Sequence, residues 1–495
     1  MPSFDPRSTT IDSFFPEFDP DNPSVVSQEN SRQFYKSIGS PKVICAPMVN
    51  QSEFAWRYLC RSYVDSTLWN GKEFLDHSPT RETFLAYTPM IGAKKYAEDA
   101  KYRTKNFHPT QKENFTNSRT EPGDVYLDGN IDIDRPLFVQ FCANDPEALL
   151  AAGQHVSMFC DAVDLNLGCP QGIAKKGRYG AFLQDEWSLI HNMIRHVRIN
   201  LPNTPVTAKI RIHDTKEKTL KYAKMILNAG ASVITVHARN REQKAQKTGL
   251  ADWSYIRYLR DNLPPKTVIF ANGNILEHGD INDCLEKTGA DAAMVAEGCL
   301  TDPSIFAPPP PSGKETSEYF RDVITGNGGF RLDAVLRRYV DIIWKYVYGQ
   351  EPPVVPDHAL EKAKSLPVKL QRSDPNLIAM KAHFFELLRA FNAKHTYVRD
   401  KLHHIPIGDM VAFEEVIGHV QHETNKAIDH YSLLEESGQL EQAREFAYMP
   451  SISSDPKVRS CQRPWWVCQP YVRPTPEEAE AMGAINQKKT DRMEE

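Results

Sequence analysis

Asn166-Leu167-Gly168-Cys169-Pro170 sets a cysteine between a glycine and a proline, directly after an apolar run. Gly168 and Pro170 keep Cys169 off a helix, in a loop where a thiol serves as an acid or a nucleophile. The plain alternative is a buried thiol used as a small apolar side chain. Lys209 interrupts the apolar run 206–212. An ammonium there must reach an anionic or electron-rich partner, such as a reduced flavin ring, because burying it unpaired is costly. The alternative is a lysine whose stem follows the strand while its head reaches water. Asn272-Gly273-Asn274 and Ala296-Glu297-Gly298 close two later apolar runs. Glycine lets backbone N–H groups approach a phosphate, and two such turns in order suit a mononucleotide. Glu297 is awkward there, since a carboxylate repels phosphate unless it points away or binds a hydroxyl. Cys-x-x-Cys spacing and a G-x-G-x-x-G turn are both missing, so no metal site and no dinucleotide fold is expected.

These residues need a scaffold. Short apolar runs at 42–48, 83–87, 137–142, 162–167, 206–212, 232–237, 267–271 and 291–296 read as strands. Helical patterns follow at 54–63, 146–159, 186–198, 216–229, 253–262 and 279–288. Strands alternating with helices are βα units, and eight of them predict a TIM (β/α)8 barrel, an α/β fold. Reactive groups of a barrel gather at the C-terminal ends of its strands. Asn50, Gln51, Gln140, Asn166, Cys169, Lys209, Arg211, His237, Arg239, Asn272, Asn274, Glu297 and Gly298 all fall at or near those ends. A lined cavity explains them, and ordinary polar turns are the alternative.

The chain has 495 residues, 41% of them hydrophobic, enough for a large core. Residues 1–38 read as a polar extension and 39–315 as the barrel, with insertions near 65–82 and 105–135. Residues 316–450 read as an all-helical domain, with helices at 330–348, 376–402 and 428–446 and no strand series. Residues 451–495 form a tail with Pro and Trp and a charged end. The net charge of −5 argues against a polybasic binder but leaves room for a local basic groove. Lys175, Lys176 and Arg178 form one basic loop next to Cys169, and 209–224 and 376–402 are also locally basic. For the helical segment, a solvated face is the simpler reading. Nine cysteines without a framework suggest a reducing compartment, and no apolar run reaches the length of a membrane span.

With these residues in place, the sequence resembles the tRNA-dihydrouridine synthases, most closely the eukaryotic type acting on uridines 16 and 17 of the D-loop. The likeness rests on Ala46-Pro47-Met48, Tyr87-Thr88-Pro89-Met90, RPLFVQFCAND at 135–145 and DAVDLNLGCPQGIAKKGRYGAFLQD at 161–185. It continues through TAKIR at 207–211, TVHAR at 235–239, FANGNI at 270–275 and Ala296-Glu297-Gly298, in family order. Ala238 departs from it, standing where glycine is common.

The resemblance implies an FMN-binding barrel followed by a helical tRNA-binding domain. NADPH, with NADH the alternative, would reduce the flavin. A uridine flipped out of tRNA would take hydride from flavin N5 at uracil C6 and a proton from Cys169 at C5. A thiol with an ordinary pKa of about 8.5 keeps that proton at neutral pH. Pro47 and Met48 would back the flavin, and Gln140 would bond its ring edge. Lys209 and His237 would contact it, and Asn272, Gly273, Asn274, Glu297 and Gly298 would hold its phosphate side. Asn166 would lie beside the uracil; Lys175, Arg178, Arg211 and Arg239 would meet substrate or RNA. A monomer in the cytoplasm, the nucleus or both is expected. The competing readings are an FMN barrel reductase of a small pyrimidine or enone, and a non-catalytic RNA-binding module.

Overall fold

The computed structural model describes residues 28–65, 67–69, 84–107, 127–244, 248–353, 374–451, 453 and 455–473. Eight strands make a closed parallel ring: β1 (Val43–Cys45), β2 (Phe84–Tyr87), β3 (Leu137–Cys142), β4 (Ala162–Leu167), β5 (Val206–Arg211), β6 (Val233–His237), β7 (Val268–Asn272) and β8 (Ala292–Val295). Each pairs with the next, and β8 pairs with β1 at Ile44 opposite Met294. A two-residue strand, Ile91–Gly92, pairs with Phe141 and Cys142 of β3 on the same edge as β2 and so continues the β2 position of the ring. Helices cover the outer faces and side chains fill the inside, so the strands are mostly apolar rather than alternating, with Gln140, Asp164, Asn166, Thr207 and Lys209 as polar members.

The helices start and stop where local chemistry directs. Asp145 accepts from Ala148 N at 2.7 Å, and Pro146 opens the helix Pro146–Val156. Thr215 caps Lys216–Asn228 in the same way. The eighth covering helix, Leu332–Ile342, lies on the first, Phe54–Val64, where Tyr339 meets Trp56 edge-on at 5.7 Å.

The expected polar extension over 1–38 contains a helix, Gln28–Ser37; residues 1–27 lie outside the described residues. Tyr35 and Ile38 enter the apolar filling of the barrel with Phe138, Phe270 and Met294. The Tyr35 hydroxyl donates to Pro41 O at 2.9 Å and to Asp291 O at 3.1 Å, and Arg32 pairs with Asp291. This helix therefore closes the end of the barrel opposite the strand C-termini. Most of the insertion at 65–82 lies outside the described residues, as do 108–126 of the second. The helix Ala100–Asn106 runs into the start of the second insertion, and at its far end Asp128 and Asp134 grip the buried Arg57.

The second half is helical, with differences in detail. The single helix expected over 376–402 is three: Pro375–Leu387, Arg389–Lys394 and Thr396–His404. Leu388 (ψ 13°) and His395 (ψ 69°) leave helical geometry and break it. The helix expected over 428–446 is the end of a 27-residue helix, Met410–Glu436, followed by Leu440–Ala447. A hairpin of Tyr319–Arg321 and Gly328–Phe330 was not foreseen. The tail after 451 continues the packing: Trp465 and Trp466 are buried, Leu332 N donates to Trp466 O and Cys468 N to Phe330 O. No described helix is long and apolar enough to cross a membrane.

Candidate active site

A cavity of about 1530 Å³ opens at the C-terminal ends of the strands. Of the residues singled out from sequence, Pro47, Met48, Gln140, Asn166, Cys169, Lys209, Arg211, His237, Arg239, Asn272, Gly273, Asn274 and Glu297 line it. Lys175, Arg178 and Gly298 do not. Lys175 faces solvent, and Arg178 is 74% exposed and paired with Glu186 at 3.0 Å.

One line of hydrogen bonds runs through β3, β4 and β5 to the cysteine. Thr207 Oγ1 donates to Asp164 at 2.6 Å and Gln140 Nε2 donates to the same carboxylate at 2.8 Å. Gln140 Oε1 accepts from Asn166 Nδ2 at 2.7 Å. Asn166 Oδ1 then accepts from Gly168 N at 3.0 Å and Cys169 N at 2.9 Å. The strand-end loop carrying the thiol is thus tied to the strand below it. Burial raises Asp164 to about 6, against the pull of its two donors and of Lys209.

A second set surrounds Lys209. Its ammonium donates to Asn272 Oδ1 at 2.9 Å, and Asn272 Nδ2 donates to Met294 O. Burial, then Arg211, lowers Lys209 to about 8. Arg211 is itself locked onto Gly168 O (2.9 Å) and Asn240 O (2.8 Å). Arg239 donates to His237 Nε2 at 2.9 Å and to Asn274 Oδ1 at 2.7 Å. A guanidinium only donates, so His237 Nε2 accepts and the ring proton lies on Nδ1. Burial and the cations Arg211, Lys209 and Arg239 push His237 well below its ordinary value and keep it neutral. Burial and Arg473 lower Arg239 to about 9.

Sequence reasoning passed over several residues here. Lys94, Lys95 and Lys244 join Lys176 of the expected basic loop to give the cavity a basic lining, and Lys244 Nζ also donates to Pro170 O at 3.1 Å. Cys142 and Tyr179 line the wall near Cys169, and burial pushes each up to about 12. Arg473 lines the cavity and pairs with Glu297, 176 positions away, which no sequence signal announced. A buried trio, Cys45, Cys60 and Cys299, has its sulfurs within 4.8 Å of one another. Packed on Trp56 and Leu59 in the outer core, these thiols act as small apolar side chains.

The donor set fits a flavin mononucleotide. Pro47 and Met48 offer an apolar wall, Gln140 an amide and Lys209 a cation. At the other end, Gly273 has φ 115° and lies so close to its neighbours that a Cβ would come within 2.8 Å of Ala251 Cβ and 3.1 Å of His237 Cδ2. Only glycine leaves that cradle open. Around it Lys209, Arg239 and Arg473 outnumber Glu297, an excess of positive charge suited to a phosphate.

Comparison with known proteins agrees with this geometry. The family model described as dihydrouridine synthase matches residues 44–322. The tRNA-dihydrouridine(16/17) synthase (NAD(P)(+)) of Saccharomyces cerevisiae is 42% identical over 463 residues, covering 92% of this chain and 88% of its own. That of Schizosaccharomyces pombe is 38% identical over 446 residues, covering 90% and 91%. The Rattus norvegicus protein of the same name, marked "-like", is 40% identical over 293 residues, covering 58% and 57%. With barrel, cavity and matched sequence in agreement, the chain belongs to the dihydrouridine synthase family.

Proposed function

We propose that this chain reduces uridine to 5,6-dihydrouridine in the tRNA D-loop, at positions 16 and 17, with FMN as resident cofactor and NADPH as reductant. The observation that carries the reading is Cys169, pinned through its own N–H to Asn166 at the rim of a cavity that also holds Gln140 and Lys209. The two fungal relatives support the choice of uridines.

A stacked base cannot be reached, so the uridine must leave the tRNA stack to enter the cavity. Lys94, Lys95, Lys176 and Lys244 hold backbone phosphates around the opening. FMN, when bound and reduced, supplies the hydride that adds to uracil C6. Negative charge then develops at C5 and O4. Cys169 holds a proton at Sγ and gives it to C5, on the opposite face of the ring. The Asn166 clamp fixes where that sulfur points, because both N–H groups of the turn are committed to one oxygen. Lys209 is mostly charged at neutral pH and sets a cation beside the electron-rich ring. The free thiols suit a reducing compartment, and we place the protein there as a monomer, in the cytoplasm, the nucleus or both.

The test is anaerobic. The reduced holoenzyme is mixed with unmodified tRNA while the visible flavin absorption is followed and dihydrouridine is mapped. Flavin reoxidation by tRNA, matched by D-loop dihydrouridine, is expected. In Cys169→Ala the flavin still reduces with NADPH, while turnover on tRNA falls about 10²–10⁴-fold, the usual range for a lost general acid. A reduced flavin indifferent to tRNA but oxidised by free uridine would move the assignment to the small-molecule reductases.

A further inference from the structure

We propose that Arg473, carried to the barrel by the C-terminal segment, binds the phosphate of the mononucleotide, and that Glu297 competes with that phosphate for its guanidinium. The inference rests on the FMN reading above.

The segment is fixed before it reaches the cavity. Trp465 and Trp466 are buried against Phe446, Tyr431 and Phe320. Arg463 pairs with Asp302 at 2.9 Å, just beyond the Glu297 turn. Tyr471 N donates to Leu276 O at 3.4 Å, just beyond the Gly273 turn. Arg473 therefore arrives on a backbone anchored to both phosphate-side loops. Its side chain is 8% exposed and lines the cavity with Gly273 and Asn274.

Its setting is that of an anion ligand. Arg473 Nη1 lies 3.5 Å from Gly249 O, the carbonyl that also takes Arg239 Nε at 3.0 Å. Two guanidinium groups converge on one carbonyl, and Glu297 is the carboxylate that meets Arg473. Glu297 is 45% exposed and borders water, whereas Arg473 is enclosed. Arg473 is thus the enclosed charge and Glu297 the solvent-facing one. A phosphate dianion brings more charge and more oxygens to the planar fork than one half-exposed carboxylate does.

Flavin binding separates this role from a structural one, since riboflavin lacks the phosphate. The full chain is stripped of flavin, and FMN and riboflavin are titrated by fluorescence quenching. Arg473→Gln is expected to weaken FMN about tenfold to a hundredfold, the worth of a charge-assisted hydrogen bond, and to leave riboflavin unchanged. Arg473→Lys should recover part of the loss. Glu297→Gln should tighten FMN and not riboflavin. An unchanged FMN-to-riboflavin ratio in Arg473→Gln overturns the proposal, whether both affinities fall together, as for a tether, or neither moves. Weaker FMN binding in Glu297→Gln overturns the competition. A wild-type chain that binds neither flavin overturns the FMN reading itself, and this inference with it.

Discussion

Asp164, once ionised, can only accept hydrogen bonds, and the backbone N–H groups of Gly168 and Cys169 can only donate. Between them stand two amides, Gln140 and Asn166, each of which could otherwise be turned either way. The fixed ends settle both: nitrogen of Gln140 toward Asp164, oxygen of Asn166 toward Cys169. Gln140→Leu cuts the line in the middle and leaves Asp164 and Asn166 each short of a partner. It should destabilise the protein by about 1–3 kcal/mol per orphaned group and lower turnover on tRNA more than flavin binding, read by melting and single-turnover kinetics. Asp164 also makes stability pH-dependent. Its folded pKa is raised, from 3.8 to about 6, so its contribution is fully present below 3.8 and lost as pH rises through 6. Relative to Asp164→Asn, the wild type should gain on the order of 2 kcal/mol from pH 7 to pH 4, measured by paired denaturant titrations. Lys209 has the opposite sign: lowered to about 8, it binds fewer protons folded than unfolded between 8 and 10.5. An electron-rich ligand favours its charged form, so FMN affinity should fall as pH rises through about 8, and Lys209→Met should flatten that slope. Cys169, Lys209 and Glu297 were legible because their types are out of place in or beside apolar strands. Cys142 and Tyr179 were not, since an apolar run and a polar loop absorb them without remark.

The strands were the most legible elements. They are mostly buried on both faces, so each leaves a short, mainly apolar run in which a polar residue such as Gln140, Asp164 or Lys209 stands out. The long helix Met410–Glu436 buries Met410, Phe413, Ile417, Val420, Thr424, Ala427 and Tyr431 at three-and-four spacing, yet only its end from 428 was expected. Gly418 and the His- and Glu-rich turns between them hid its first half. The turn after β8 was legible in position but not in purpose. Gly298 does not reach the cavity. A Cβ there would lie 2.4 Å from Ile275 O and 2.9 Å from Ile305 Cδ1, so this glycine lets the turns after β7 and β8 pack on each other. Gly298→Ala should force them apart at a loss of about 1–3 kcal/mol, seen as a lower melting temperature of the flavin-free protein.

Barrel and helical half share one apolar core. Trp56 of the first barrel helix stacks on His383 at 3.8 Å, and Glu53 takes both His383 Nε2 and the Tyr339 hydroxyl at 3.1 Å. Asn376 Oδ1 accepts from Ala55 N at 2.9 Å. Calorimetry should accordingly show a single unfolding transition, and Trp466→Ala should lower it by about 3–5 kcal/mol. Sequence division into consecutive pieces could not show this, because the contacts join positions hundreds apart. The return of 463–473 to the barrel mouth has a consequence for synthesis. A ribosome delivers the chain from its N-terminus, and the eight strands are all outside long before Trp466 and Arg473 emerge. The nascent barrel must wait with one side of its mouth unlined, so a message cut short after the last strand yields a barrel without its final wall. Such a barrel would lack both Trp466 in the shared core and Arg473 at the mouth.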